Sequence, residues 1–183
     1  MRVALSMRSL GRPVLILVPA VVIPAVVCTL VTWWFLPEWW QLSAFFWYSI
    51  PGNSFVPLPH EPAVIYAGAI YHPALVAIVG GLATTVASTV DHITFTRAFH
   101  LKSLAPIKET RVSRFAVRLF SWQPWWTVFI FAVTPIPFYP IRVIAPMANY
   151  SRTGYVSAVL AGRVPRYYLL ALGGVWARNL TGL

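Results

Sequence analysis

Acidic residues are almost missing from this chain, with four Asp and Glu against fourteen Lys and Arg in 183 residues. Charge of either sign is scarce: charged residues make up 10%, where ordinary soluble domains carry about 25%. That shortage excludes an ordinary solvated surface. A single cysteine, Cys28, excludes an internal disulfide and a cysteine-built metal site. Val27 stands before it where a lipoprotein acceptor needs a small residue. The four histidines, His60, His72, His92 and His100, show no H-x-x-x-H or comparable ligand spacing. No nucleophile–base constellation, glycine-rich phosphate loop or pair of catalytic carboxylates is legible. These absences argue against an enzyme, a resident metal and a cofactor.

Apolar sequence fills the space left by charge. Apolar residues make up 58% and mean hydropathy is +0.70. Uncharged runs cover 13–37, 39–60, 62–90, 119–141 and 167–177. A helix needs about 20 apolar residues to cross a bilayer, so the expectation is an integral membrane protein. The nine tryptophans suit interfacial belts. The net charge of +10 would suggest nucleic acid on a soluble chain. Here the basic residues gather at segment ends, as the positive-inside rule and anionic headgroups require. The expected partners are therefore membrane lipids and not nucleic acid, with a homo-oligomer left open.

Proline is plentiful, and it is organised. Pro57, Pro59 and Pro62 form a P-x-P-x-x-P block that recurs 78 residues later as Pro135, Pro137 and Pro140. Both blocks follow an aromatic, uncharged run and lead into Ala- and Gly-rich sequence. Three prolines in six residues break a helix. At membrane depth such a break needs shelter from protein or a water-filled cavity. Two corresponding breaks point to a repeat-built carrier with its site at the repeat interface.

Taken in order, 1–37 is expected to hold a basic cytoplasmic N-terminus and a first spanning helix over 14–36, bent by Pro19 and Pro24. Unit 38–96 holds a re-entrant hairpin over 40–73, turning near 57–62, then a spanning helix over 74–95. Gly80, Thr84 and Ser88 lie on one stripe of that helix and Asp91 continues it, so Asp91 should face protein. Segment 97–120 is basic and cytoplasmic. In it Val112, Phe115, Ala116, Leu119 and Phe120 form one stripe and Arg111, Arg114 and Arg118 another. It reads either as an interfacial amphipathic helix on an anionic leaflet or as a plain basic loop. Unit 121–183 repeats the hairpin from the cytoplasmic side over 121–150, then crosses over 153–178. The fold class is an all-α integral membrane protein: an inverted repeat of re-entrant hairpin plus transmembrane helix, with an additional N-terminal transmembrane helix.

Ionisable side chains at membrane depth are functional candidates by default, since each costs about 2.5–3.5 kcal/mol to insert. They are Glu61, Asp91, Arg142, Arg163 and Arg166. The 78-residue offset and the inversion predict two cross-repeat pairs: Glu61 with Arg163 or Arg166, and Asp91 with Arg142. Such pairs either serve transport or only hold the repeats together. Pro57, Pro59, Pro135 and Pro137 would form the hairpin tips. His60 beside Glu61, and His92 beside Asp91, suit proton relays or idle interfacial positions.

The phrase GNSFVPLPHEP (52–62), followed by AGAIY, resembles the motif E-x-x-F-x-P-x-P-x-[ED] followed by AG of the DedA family, the VTT-domain or SNARE-associated Golgi protein superfamily. TPIPF (134–138) with downstream AGRVPRYYL is similar to the family's second block, in a bacterial branch with TPIP and GRxxR. The resemblance covers residues from about 40 to 178. It implies two opposed re-entrant hairpins with crossing helices, and lipid translocation. Members are known as lipid scramblases in eukaryotes. In bacteria they carry undecaprenyl phosphate or phospholipid, some using proton motive force. Glu61 falls on the family's acidic site after P-x-P, and Arg163 and Arg166 on the GRxxR sites. Gly52 stands where many members have the first glutamate. Ala132 and Phe138 stand where many have arginines. Those departures weigh against proton coupling more than against the fold.

The functional expectation is translocation of an anionic phospholipid or polyprenyl phosphate between leaflets, in a bacterial inner membrane. The alternatives are a proton-coupled transporter of a small solute or cation, titrating Glu61 and Asp91, and a non-transporting assembly factor.

Overall fold

The computed structural model describes residues 22–54, 59–99 and 111–181. Pro19, Pro57, the basic N-terminus expected in the cytoplasm, the start of the expected first helix and the centre of the basic segment lie outside the described residues. Among the described residues every regular element is helical. They are α1 (Val22–Phe35), α2 (Trp40–Gly52), α3 (His60–Ile70), α4 (Pro73–Phe99), α5 (Arg111–Trp122), α6 (Pro124–Val133), α7 (Tyr139–Met147) and α8 (Arg152–Thr181).

Proline places the boundaries. Pro124 starts α6 and Pro140 sits in the first turn of α7, where a missing N–H costs nothing. Pro59 precedes α3, and Glu61 in its first turn complements the helix dipole. The chain is extended at Thr134, which caps α6. Each P-x-P block thus separates two short helices into a hairpin: α2 with α3, and α6 with α7. The turn after α7 is made by Asn149 at φ 53°, a left-handed conformation that Asn tolerates.

The two long helices run antiparallel through the middle. Gly81 of α4 lies against Leu160 and Val164 of α8. The Thr84 hydroxyl is 2.9 Å from the Tyr167 hydroxyl. Near the other end His92 meets the Tyr155 ring, with centroids 5.2 Å apart. The hairpins dress this pair in a two-fold pattern. α2 packs on α4 and α3 on α8; α6 packs on α8 and α7 on α4. The first helix of each hairpin rests on its own unit's long helix and the second crosses to the other unit's.

Each hairpin closes its own core. Leu42, Phe45, Val64, Val76 and Tyr167 form one, and Val128, Phe138, Ile141, Tyr155 and Val159 the other. The threonines of α4 return their hydroxyls to carbonyls one turn back, as from Thr85 to Gly81 and Thr89 to Thr85, both at 2.8 Å. Those polar groups need no outside partner.

One described helix, α4, is long and apolar enough to cross a membrane. α8 is longer, but Arg163 and Arg166 at its centre lower its hydropathy. Of the expected first span only Val22–Phe35 is described, which is too short alone. The outer face of α4 is apolar at every fourth residue: Ile78, Leu82, Val86 and Val90 are all exposed. On α8 Leu169, Leu172, Trp176 and Leu180, spaced by three and four, are likewise exposed.

Candidate functional site

Residues flanking the two hairpin turns line an open cavity of about 370 Å³ over the middle of α8. Its walls come from Asn53, Pro59, His60 and Glu61 on one side and Pro135, Pro137 and Phe138 on the other. Arg142, Arg163, Arg166 and Tyr167 complete them. Three of the five proposed ionisable residues at depth are therefore arginines on one cavity.

Two of these arginines work as clamps of the same design. Arg142, on α7, forms an ion pair with Asp91 of α4 at 3.2 Å. It also donates to the Ser54 carbonyl, just past the end of α2. Ser54 Oγ donates to the other carboxylate oxygen of Asp91 at 2.7 Å. Arg166, on α8, pairs with Glu61 of α3 and donates to the Thr134 carbonyl at the end of α6. Each arginine thus reaches the C-terminal end of a broken helix, where carbonyls lack partners and the dipole is negative. The pairing resolves the choice left by the sequence: Glu61 meets Arg166, not Arg163. Glu61 itself lies in the first turn of α3 and its side chain is 55% exposed. The helix start thus holds it at the cavity mouth.

Arg163 is different. It is 8% exposed and its Nε has no hydrogen-bond partner. Among the described residues it has no carboxylate in ion-pair reach. Its guanidinium lies between two rings, 5.2 Å from the centroid of Phe138 and 5.9 Å from that of Tyr167. Cation–π contact offsets part of the burial cost of the charge but satisfies no N–H.

Two wall residues, Tyr167 and Asn53, were not legible as site residues. Tyr167 donates from its hydroxyl to Asn53 Oδ1 at 2.9 Å, and Asn53 Nδ2 donates to the Ser49 carbonyl at 2.9 Å. This chain, with Thr84, ties the first turn to both long helices. Tyr167 stands one helical turn beyond Arg163, and that spacing was the available signal; Asn53 and Ser54 carried none. His60 is buried against Tyr167, ring centroids 5.1 Å apart, and neither ring nitrogen has a partner. His92 instead places Nε2 3.0 Å from the Tyr150 carbonyl, away from the cavity. Pro59, Pro135 and Pro137 are exposed at the cavity. Among the described residues no three His, Cys, Asp or Glu side chains converge as metal ligands would.

Comparison with protein-family profiles, with curated proteins and with solved structures yields no match for this chain.

Proposed function

We propose that the chain is an integral membrane protein whose paired hairpins dip into the bilayer and pass an anionic lipid headgroup between leaflets through the cavity where their turns meet. The observation that carries this reading is Arg163: a buried guanidinium on the cavity wall with no carboxylate partner among the described residues. A buried charge without a partner is costly, and a phosphate entering the cavity supplies the missing partner as a charge-assisted, bidentate acceptor. Arg166 stands one turn away and shares its charge with an exposed carboxylate, so it can exchange Glu61 for the phosphate. The helices α3 and α7 begin at the cavity wall, which adds two positive dipole ends. Acyl chains would remain against the apolar outer stripes of α4 and α8. The hydropathy of α4 and those exposed stripes support a bilayer surround. The class of activity is the one the DedA resemblance implies. The basic segments would face the cytoplasm, with the first hairpin entering from outside and the second from inside.

The test is reconstitution into liposomes with a leaflet-accessibility assay across several headgroups. Arg163→Gln is expected to abolish movement of phosphate-bearing lipid while leaving thermal unfolding in detergent unchanged or improved, since it removes an unpaired charge. Transport at the parent rate by this variant overturns the reading.

A further inference from the structure

A second surface, which shares no wall residue with the cavity, is built on α5. This helix is held to the body by Phe120, which is buried and packs edge-on against Tyr150 with centroids 5.6 Å apart. The opposite side of α5 carries two adjoining stripes. Arg111, Arg114 and Arg118 recur at three and four residues, all exposed. Phe115, Leu119 and Trp122 recur at four and three, and are 69%, 62% and 82% exposed. Arg111, Arg114, Phe115 and Arg118 together line a recess of about 280 Å³. Among the described residues none of the three arginines has a carboxylate in ion-pair reach.

We infer that α5 docks on the headgroup layer of an anionic leaflet, taking phosphate-bearing lipid heads between its arginines while Phe115, Leu119 and Trp122 enter the acyl boundary. Charge complementarity selects this occupant. Three guanidinium groups with no carboxylate in reach among the described residues attract an anionic surface, and the neighbouring apolar stripe requires that surface to have an apolar layer directly beneath its charge. A second copy of the chain is disfavoured, because an isologous contact would set arginine against arginine. Burial deep in hydrocarbon is disfavoured by the same arginines. The inference rests on the chain lying in a membrane, but not on its moving lipid.

The test uses the full chain with Cys28→Ser and Phe115→Cys, labelled with an environment-sensitive dye and placed in nanodiscs. Discs of phosphatidylcholine alone are compared with discs containing increasing phosphatidylglycerol. A blue shift and protection from aqueous quencher should grow with phosphatidylglycerol and weaken in high salt. Adding Arg111→Gln, Arg114→Gln and Arg118→Gln should raise the anionic fraction needed for half the shift by at least roughly fivefold, about the worth of one surface arginine. These side chains are exposed, so helix content and thermal unfolding should hold. A dye response indifferent to phosphatidylglycerol, or to the triple substitution, overturns the proposal. So does a response that appears only with two chains per disc. Loss of transport in Arg163→Gln with the dye response intact separates this surface from the cavity.

Discussion

The two arginine clamps are built alike and sit in unlike surroundings. Arg142 and Asp91 are 6% and 0% exposed, whereas Arg166 and Glu61 are 12% and 55% exposed. In each, an arginine from one unit holds the end of the other hairpin's first helix or its own, and an acid on a third element completes the contact. Burial decides what each clamp can do. In a low-dielectric setting the Asp91 pair cannot part without stranding a charge. At the cavity mouth, water or an incoming anion can replace Glu61 at small cost. The first clamp is a pin that holds the end of α2, and the second is a latch at the cavity mouth.

Breaking the pin gives the largest expected effect. Asp91→Asn keeps the size of the side chain and its contact with Ser54 but leaves Arg142 charged and unpaired. A loss of about 3–5 kcal/mol is expected, read as a lower unfolding midpoint in detergent. Arg142→Gln should cost a similar amount. The double variant should recover much of the loss, because the coupled pair is removed together. Independent, additive losses would mean that the pin is not a pair.

The comparison extends to how the hairpins sit on α8. A Cβ on Gly174 would fall onto the Ile65 carbonyl, and one on Gly68 onto the Ala171 carbonyl. α3 and α8 therefore meet backbone to backbone. A Cβ on Gly162 would stand 2.8 Å from the Phe129 carbonyl, so α6 uses the same device higher up α8. Gly174→Ala must displace main chain, and a loss of about 1–3 kcal/mol is expected. Because α3 carries His60 and Glu61, that shift should also lower transport. Gly173→Ala meets nothing within 4 Å and should leave both stability and transport unchanged, which makes the adjacent pair a clean measure of the seam.

Much of this arrangement was legible because proline and charge speak through local rules. The repeated P-x-P-x-x-P fixed both helix breaks to within a few residues, and the offset led to Asp91 with Arg142 and Glu61 with an arginine of α8. The stripe Gly80–Thr84–Ser88–Asp91 placed Asp91 inside, and it is fully buried. The choice between Arg163 and Arg166 was not legible, since the two lie three residues apart on one helix and only the rotation of α8 separates them. The exposure of Glu61 was hidden for the same reason: depth along an axis does not tell which way a side chain faces. Backbone partners such as the Ser54 and Thr134 carbonyls leave no mark in a sequence at all. Tyr167 left only its spacing from Arg163, a weak mark because tyrosine in apolar sequence is as easily a core residue, and its tie to Asn53 left none.

The smallest stability effect is expected at the latch, and it is the one that sharpens the comparison most. Glu61→Gln removes a half-exposed carboxylate, so a loss under about 1 kcal/mol is expected. Arg166→Gln also gives up the Thr134 carbonyl, and about 0.5–1.5 kcal/mol more should follow from that hydrogen bond. The double-mutant cycle for Glu61 and Arg166 should therefore return a coupling well below the one for Asp91 and Arg142. Transport divides the two residues further. With Glu61→Gln, Arg166 loses its resident acid and stays free to take phosphate, so headgroup binding should tighten while turnover falls through slower release. With Arg166→Gln, transport should fall whether or not Glu61 is also changed, because an anion ligand has gone. Equal couplings in the two cycles would erase the distinction between pin and latch. Recovery of transport in the Glu61→Gln, Arg166→Gln double variant would show that the pair only holds the fold, and would leave Arg163 to carry the anion alone.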